Sequence, residues 1–314
     1  ILMHWAAAVD AQTSRAAAAK FNPIQSFEHT GMPDDLVQAA CGKFSKPSPI
    51  QAQCWPIVLS GHDCIGVAET GSGKTVAFGL PGLLHVRARN GGFPTPKLPF
   101  MLVVSPTREL AVQTADFCEM TGAKLDPPIR SVCVYGGVSK GPQVSALRQG
   151  VQVVIATPGR LIDLMEQGAL KLDDVSFLVL DEADRMLDMG FEKEIKKIMV
   201  ATRSDRQTLM FSATWPVEVQ EIGHSYMQDP VRVTVGEPDR LVSNHRVKQV
   251  VEVVEPEQKE NRLFQLLEKY HKGQKERLLI FGLYKKECAR LETTLQRRGY
   301  KSCRAIHGDL SQEK

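Results

Sequence analysis

Long apolar runs are missing from this sequence. None approaches the roughly 18 consecutive residues that a helix needs to cross a bilayer, which excludes an integral membrane protein of that kind and predicts no membrane partner. Paired cysteines are missing as well. The seven cysteines (Cys41, Cys54, Cys64, Cys118, Cys133, Cys288 and Cys303) are scattered singly with no Cys-x-x-Cys, so no zinc site is expected and the set fits reduced thiols inside a cell. An excess of one charge is absent too: 39 Lys and Arg against 36 Asp and Glu leave a net charge of +3. Any basic surface for a polyanion must therefore be local. With 43% apolar and 24% charged residues, the composition is that of a globular protein rather than a disordered chain or a fibre.

What is present has a clear rhythm. At about 150 residues per domain, 314 residues suggest two domains. Residues 1–25 are an Ala-rich flank. Residues 26–235 alternate short apolar runs with longer helical patterns, the rhythm of βαβ units. A polar stretch over 236–245 (GEPDRLVSNH) reads as a linker, and 246–314 alternates again. That last segment predicts strands near Val247–Val254, at Leu278–Phe281 and ending at His307. Helices are predicted near Asn261–Tyr270 and from about Lys285 to Arg298, with Gly299 where a C′ residue belongs. Three strands and two helices make about half of a doubly wound domain. Position 1 is Ile rather than Met, and Gly308–Ser311 looks like a helix entry reaching Lys314, so the chain is expected to be a fragment.

Six apolar runs in the larger segment each end in a polar motif. CIGVA (64–68) runs into ETGSGKT, MLVVS (101–105) into PTREL, and VCVY (132–135) into Gly136 and Gly137. VVIA (153–156) runs into TPGR, FLVL (177–180) into DEAD, and LMF (209–211) into SAT. Continuous Val/Ile/Leu runs suit strands of a parallel sheet covered on both faces, where ligands bind beyond the carboxyl ends. The six motifs are therefore expected to converge on one edge of an α/β doubly wound sheet.

Ala68-Glu69-Thr70-Gly71-Ser72-Gly73-Lys74-Thr75 approximates the phosphate-binding loop G-x-x-x-x-G-K-[ST], with Ala68 in place of the first Gly. Glycines let backbone N–H groups approach phosphate oxygens. Lys74 would reach the β- and γ-phosphates, Thr75 would bind Mg²⁺, and a helix N-terminus favours the anion. The bland alternative is a Gly-rich turn with a solvated lysine. Asp181 and Glu182 end a strand, and adjacent residues of an extended backbone face opposite ways. Asp181 is thus assigned to the metal, with Thr75, and Glu182 to the general base; an acidic loop capping a helix is the alternative.

Together, the phosphate loop, DEAD, SAT and PTREL resemble the DEAD-box RNA helicases of superfamily 2, from about Phe27 to the last residue. The resemblance implies a RecA-like ATP-binding domain followed by a partial second RecA-like domain, with ATP and Mg²⁺ as cofactors. It implies that Gln51 reads adenine through one donor and one acceptor, with Phe44 stacking on the base and Phe27 supporting it; on its own Phe44 reads as core. Thr70, Gly71, Ser72, Gly73, Lys74 and Thr75 complete the nucleotide site. Ser212 and Thr214 are implied to hydrogen-bond Asp184 and count with Lys74, Asp181 and Glu182 as catalytic, although Ser-Ala-Thr-Trp-Pro also suits a helix cap. Pro106, Thr107, Arg108, Gly136, Gly137, Thr157, Pro158, Gly159 and Arg160 are the implied RNA-backbone contacts. In the second segment Leu279, Ile280 and Phe281 resemble the family's fourth motif, with Phe281 a buried support; His307, Gly308 and Asp309 match the next strand end, and Gln312 opens a further segment.

The function implied is an ATP-dependent RNA helicase that binds single-stranded RNA independently of sequence and, with ATP hydrolysis, locally unwinds duplexes or remodels RNA–protein complexes. Arginine fingers in such proteins come from a later motif of the second domain, so the 314 residues alone are expected to turn over poorly. Glu69, where many relatives carry Gln, together with HDCIGVAETGSGKT, VAFGLP and DEADRMLDMGFE, looks most like eukaryotic members acting in ribosome assembly. That implies pre-rRNA as the RNA, a nuclear and nucleolar location, protein activators the sequence does not identify, and a monomer. Two other readings compete: another phosphate-loop NTPase, which leaves Gln51, PTREL and SAT unexplained, and an ATP-gated RNA clamp or truncated binding module without turnover.

Overall fold

The computed structural model describes residues 21–90, 98–236, 247–273 and 275–310. Most of the Ala-rich flank, the linker beyond Gly236, and Gln312 lie outside the described residues. The chain divides into two compact units, Ile1–Leu241 and Val242–Lys314.

The first unit opens with helices α1 (Asp34–Cys41) and α2 (Pro49–Leu59) and strand β1 (Cys64–Ala68). There follow α3 (Lys74–Asn90), β2 (Met101–Val104), α4 (Arg108–Gly122), β3 (Ser131–Val134), α5 (Gly141–Arg148), β4 (Val153–Ala156) and α6 (Pro158–Glu166). Then come β5 (Phe177–Asp181), α7 (Ala183–Asp188), α8 (Glu192–Ala201), β6 (Gln207–Ser212), α9 (Val217–Tyr226) and β7 (Val231–Val235). The seven strands form one sheet in the order β3-β4-β2-β5-β6-β1-β7, every pairing parallel. This is the α/β parallel-sheet class that the continuous apolar runs predict.

Alternate strand residues feed two separate cores, as the period of two requires. Cys64, Met101, Val103, Phe177, Val179, Leu209 and Phe211 pack with α1–α4 on one face. Ile65, Val67, Leu102, Leu178, Leu180 and Met210 pack with α5–α9 on the other. At the amino ends of the strands, buried Asp63 accepts hydrogen bonds from the Thr208 amide and the Gln228 amide, both at 2.7 Å, so one carboxylate joins the starts of β1, β6 and β7. Strand β7 was not among the six runs that the sequence singles out. Its VRVTV alternates because it is an edge strand, half-exposed along its length.

In the second unit, α10 (Lys259–Tyr270) and α11 (Lys285–Arg297) pack through Phe264, Leu267 and Leu295. Gly299, just past α11, has φ of +97°, the left-handed C′ residue that the sequence predicts. The three strands expected here do not form among the described residues. The sequence pattern supplied apolar residues but a strand also needs a laddered neighbour, and without one Val253 and Phe281 stand 101% and 91% exposed. Phe281 is therefore not a buried support.

In the first unit, Gly66 of β1 pairs with Phe211 of β6, and the Phe211 ring covers it. A Cβ at Gly66 would lie 2.4 Å from that ring, which is itself fully buried against Phe78 at a centroid distance of 5.4 Å. Gly66→Ala is expected to lower unfolding stability by about 1–3 kcal/mol, as overpacking does. Denaturant melts check this; an unchanged midpoint would mean that the ring yields freely.

Candidate functional site

The sheet order makes β5, β6 and β1 neighbours, so the motifs that follow them share one stretch of the carboxyl edge. Beyond β1 the chain turns through Glu69–Gly73 and enters α3 at Lys74. Gly71 and Gly73 hold φ of +78° and +95°, the left-handed region that glycine adopts without strain. At Gly73 space is a second constraint, because a Cβ would lie 2.6 Å from Gln51 Nε2 and 2.9 Å from Ser48 Oγ. The Ser72 hydroxyl closes the turn by donating to the Glu69 carbonyl at 2.7 Å, and Thr70 stands exposed beside it. Buried Lys74 folds its ammonium back over the loop, donating to the Ala68 and Glu69 carbonyls at 2.7 and 3.3 Å. Those carbonyls are acceptors that phosphate oxygens can replace.

Asp181 is the last residue of β5, buried beside this loop. Burial pushes its carboxyl up to about 7 against the opposing pull of the Lys74 ammonium, and the neighbouring Glu182 and Asp184 push the same way. Burial likewise holds the Lys74 amine below its ordinary value, offset in part by Asp181, Glu182 and Asp184. The Asp181 carboxylate and the half-buried Thr75 hydroxyl are hard oxygen donors, the chemistry that Mg²⁺ takes.

Glu182 departs from the extended geometry assumed for it. Its backbone is left-handed, φ 53° and ψ 54°, where the strand becomes α7. The simple alternation of faces therefore ends at Asp181, and it is this turn that aims Glu182. Its Oε2 pairs with the Arg185 guanidinium at 2.7 Å. Asp184 binds the SAT segment: its Oδ2 accepts from the Thr214 amide at 2.9 Å and the Thr214 hydroxyl at 2.8 Å, while its own amide donates to Ser212 Oγ at 3.3 Å.

Gln51 lies against the phosphate loop. Its Oε1 accepts from the Ser48 amide at 2.9 Å and its Nε2 donates to the Gly73 carbonyl at 3.0 Å. One N–H and one lone pair of the amide remain, the complement that an adenine edge needs. The Phe44 ring is 60% exposed and open to stacking. Phe27 packs on Trp55, 6.1 Å between centroids.

The motifs after β2, β3 and β4 occupy the adjoining stretch of the same edge, with β2 next to β5. Thr107 caps α4, accepting from the Leu110 amide at 3.4 Å. Thr157 has the extended backbone of a helix N-cap ahead of Pro158 in α6. Gly136, Gly137 and Gly159 are exposed, and Gly137 has φ of +81°. Pro106 and Pro158 are buried. The Arg108 guanidinium lies over the Tyr135 ring, 4.8 Å from its centroid. Arg160 donates to Gln143 Oε1 at 3.0 Å and to the Val138 carbonyl at 2.9 Å. Tyr135, Gln143 and Arg185 were missed in the sequence. Tyr135 and Arg185 directly adjoin motifs, but nothing in spacing marks Gln143.

Residues 48–222 match the family model described as DEAD/DEAH box helicase. The chain is 53% identical over 299 residues to "DEAD-box ATP-dependent RNA helicase 5" of Oryza sativa subsp. japonica, covering 95% of this chain and 57% of that protein. It is 50% identical over 296 residues to "ATP-dependent RNA helicase DBP3" of Saccharomyces cerevisiae, covering 93% and 54%. The chain thus spans about half the length of the curated relatives it matches.

For Asp181, the raised value of about 7 against about 4 in an unfolded chain fixes the sign of its contribution to stability. Stability present below the unfolded value is lost as pH rises through the folded one. Asp181→Asn is therefore expected to melt at a higher temperature than the wild type at pH 8, with the difference shrinking towards pH 4. Calorimetry across that range decides; a lower midpoint for the variant at pH 8 would contradict it.

Proposed function

This chain belongs to the DEAD/DEAH box helicase family, and on that premise we propose that it is the ATP-binding and RNA-engaging part of an ATP-dependent RNA helicase. The reading is carried by one observation: the phosphate loop, DEAD and SAT lie at three neighbouring strand tips, directly beside the tips bearing PTREL, Gly136-Gly137 and TPGR. ATP and Mg²⁺ are the cofactors proposed. Lys74 and the loop amides of Thr70–Thr75 hold the triphosphate, and Thr75 and Asp181 hold the cation. Bound there, the cation would neutralise charge on the phosphate oxygens. Gln51 and Phe44 bind the base, which favours ATP over GTP. Glu182 takes the proton of the attacking water, and Arg185 holds the carboxylate that does so. Asp184, bonded to Ser212 and Thr214, ties the catalytic turn to the end of β6.

On the adjoining edge, Thr107, Arg108, Gly136, Gly137, Thr157, Gly159 and Arg160 form the RNA surface. Small residues and amides fit ribose and phosphate rather than base edges, so binding is sequence-independent and salt-dependent. Ribose 2′-hydroxyls select RNA over DNA. The sequence likeness to ribosome-assembly members extends the proposal to pre-rRNA, a nucleolar location, protein activators and a monomeric chain.

In the protein at its relatives' length, Lys74→Ala and Glu182→Gln are each expected to reduce RNA-stimulated phosphate release on the order of 10²-fold or more. Retained turnover in Glu182→Gln would sink its role as base. The second reading is an RNA clamp that holds nucleotide in the same loop without turning it over. Phosphate release by the 314 residues alone is expected to be slow with or without RNA; release matching the longer protein would remove that reading.

A further inference from the structure

The loop that follows β3 carries Gly136 and Gly137, both exposed. A Cβ placed at Gly136 would find no heavy atom within 4 Å. Two of its carbonyls are held by side chains from the flanking helices. Gln143, on α5 and 7% exposed, donates from Nε2 to the Tyr135 carbonyl at 3.1 Å. Its Oε1 accepts from Arg160 Nη1 at 3.0 Å. Arg160 uses its other arm on the Val138 carbonyl at 2.9 Å, and its Nε lies 3.7 Å from Asp163. Arg108 covers the Tyr135 ring from α4. Three helices that carry motif residues or flank them thus meet at one loop, and Gln143 is the link between the loop and the TPGR segment.

The place needs a side chain that donates at one atom and accepts at another, as the Gln143 amide does. A carboxylate would accept from Arg160 but has nothing to donate to the Tyr135 carbonyl, and an ammonium would donate but could not accept. Arg160, its side chain 11% exposed, places its two Nη groups on the Gln143 amide and the Val138 carbonyl, which sets the position of its guanidinium on this edge.

We propose that Gln143 is a positioning residue for the RNA surface, fixing Gly136 and Gly137 relative to Thr157–Arg160 through the Tyr135 carbonyl and Arg160. This rests on the reading that the β2–β3–β4 edge takes the RNA backbone. Because Gln143 is neutral and buried, with its amide bonded to the Tyr135 carbonyl and Arg160, it sets affinity without setting its salt dependence.

The test is anisotropy titration of a single-stranded RNA oligonucleotide with the 314-residue chain at several salt concentrations, comparing Gln143→Met and Gln143→Glu with wild type. Methionine keeps the length and loses both bonds; glutamate keeps the Arg160 bond. Gln143→Met is expected to bind about tenfold more weakly, equivalent to ~1.4 kcal/mol, and Gln143→Glu less so. The slope of log affinity against log salt should not change in either. Hydrogen exchange of residues 135–140 should rise in Gln143→Glu while the sheet keeps its protection, a readout that survives if the methionine variant folds poorly. Binding by Gln143→Met within about twofold of wild type, unchanged exchange, or a salt slope lower by about one would each overturn the proposal. Absence of RNA binding by the wild-type chain would instead overturn the reading of this edge, and the proposal with it.

Discussion

Burial of the parallel sheet on both faces is the constraint from which the site follows. With helices on either side and strand residues directed into two apolar cores, polar side chains have no place along the middle of the inner strands. They collect at the ends. The pairing order then selects which ends are neighbours, and it sets β5 between β2 and β6, so the DEAD turn stands where the two families of motifs meet. A different strand order with the same six motifs would have scattered them along the edge.

At that junction the protein keeps ionisable groups where water does not solvate them well. Asp181 and Lys74 are both shifted towards their neutral forms by burial, and each is partly restored by the charge of the other. Such a pair is poised for a ligand carrying both an anion and a cation, since each partner then meets its own complement. Perturbation of this kind, combined with a tight glycine turn and a carboxylate held by Arg185, distinguishes the edge from an ordinary solvated loop.

Much of this was legible in the residues. Continuous runs such as FLVL and VVIA betrayed strands buried on both faces, and the polar motifs ending them located the site edge. Strand β7 alternates because it lies at an edge, so it lacks the continuous apolar run that marks the inner strands. Glu182 was given an extended backbone, whereas its left-handed turn is a property of the junction and not of its neighbours in sequence. In the second unit, apolar runs were read as strands although pairing depends on a neighbour that local sequence does not contain. Gln143 escaped notice because its role arises from Tyr135 and Arg160, eight and seventeen positions away, converging on one amide.

Asp63 lies at the far end of the same strands. Its carboxylate, gripped by amides from the start of β6 and the approach to β7, clamps the floor of the sheet directly beneath the phosphate loop. A slip of a single residue between these strands would strand that charge in an apolar interior without its donors. The edge that carries the polar motifs is consequently mounted on a base whose register is fixed from below, by a charge that three strands share.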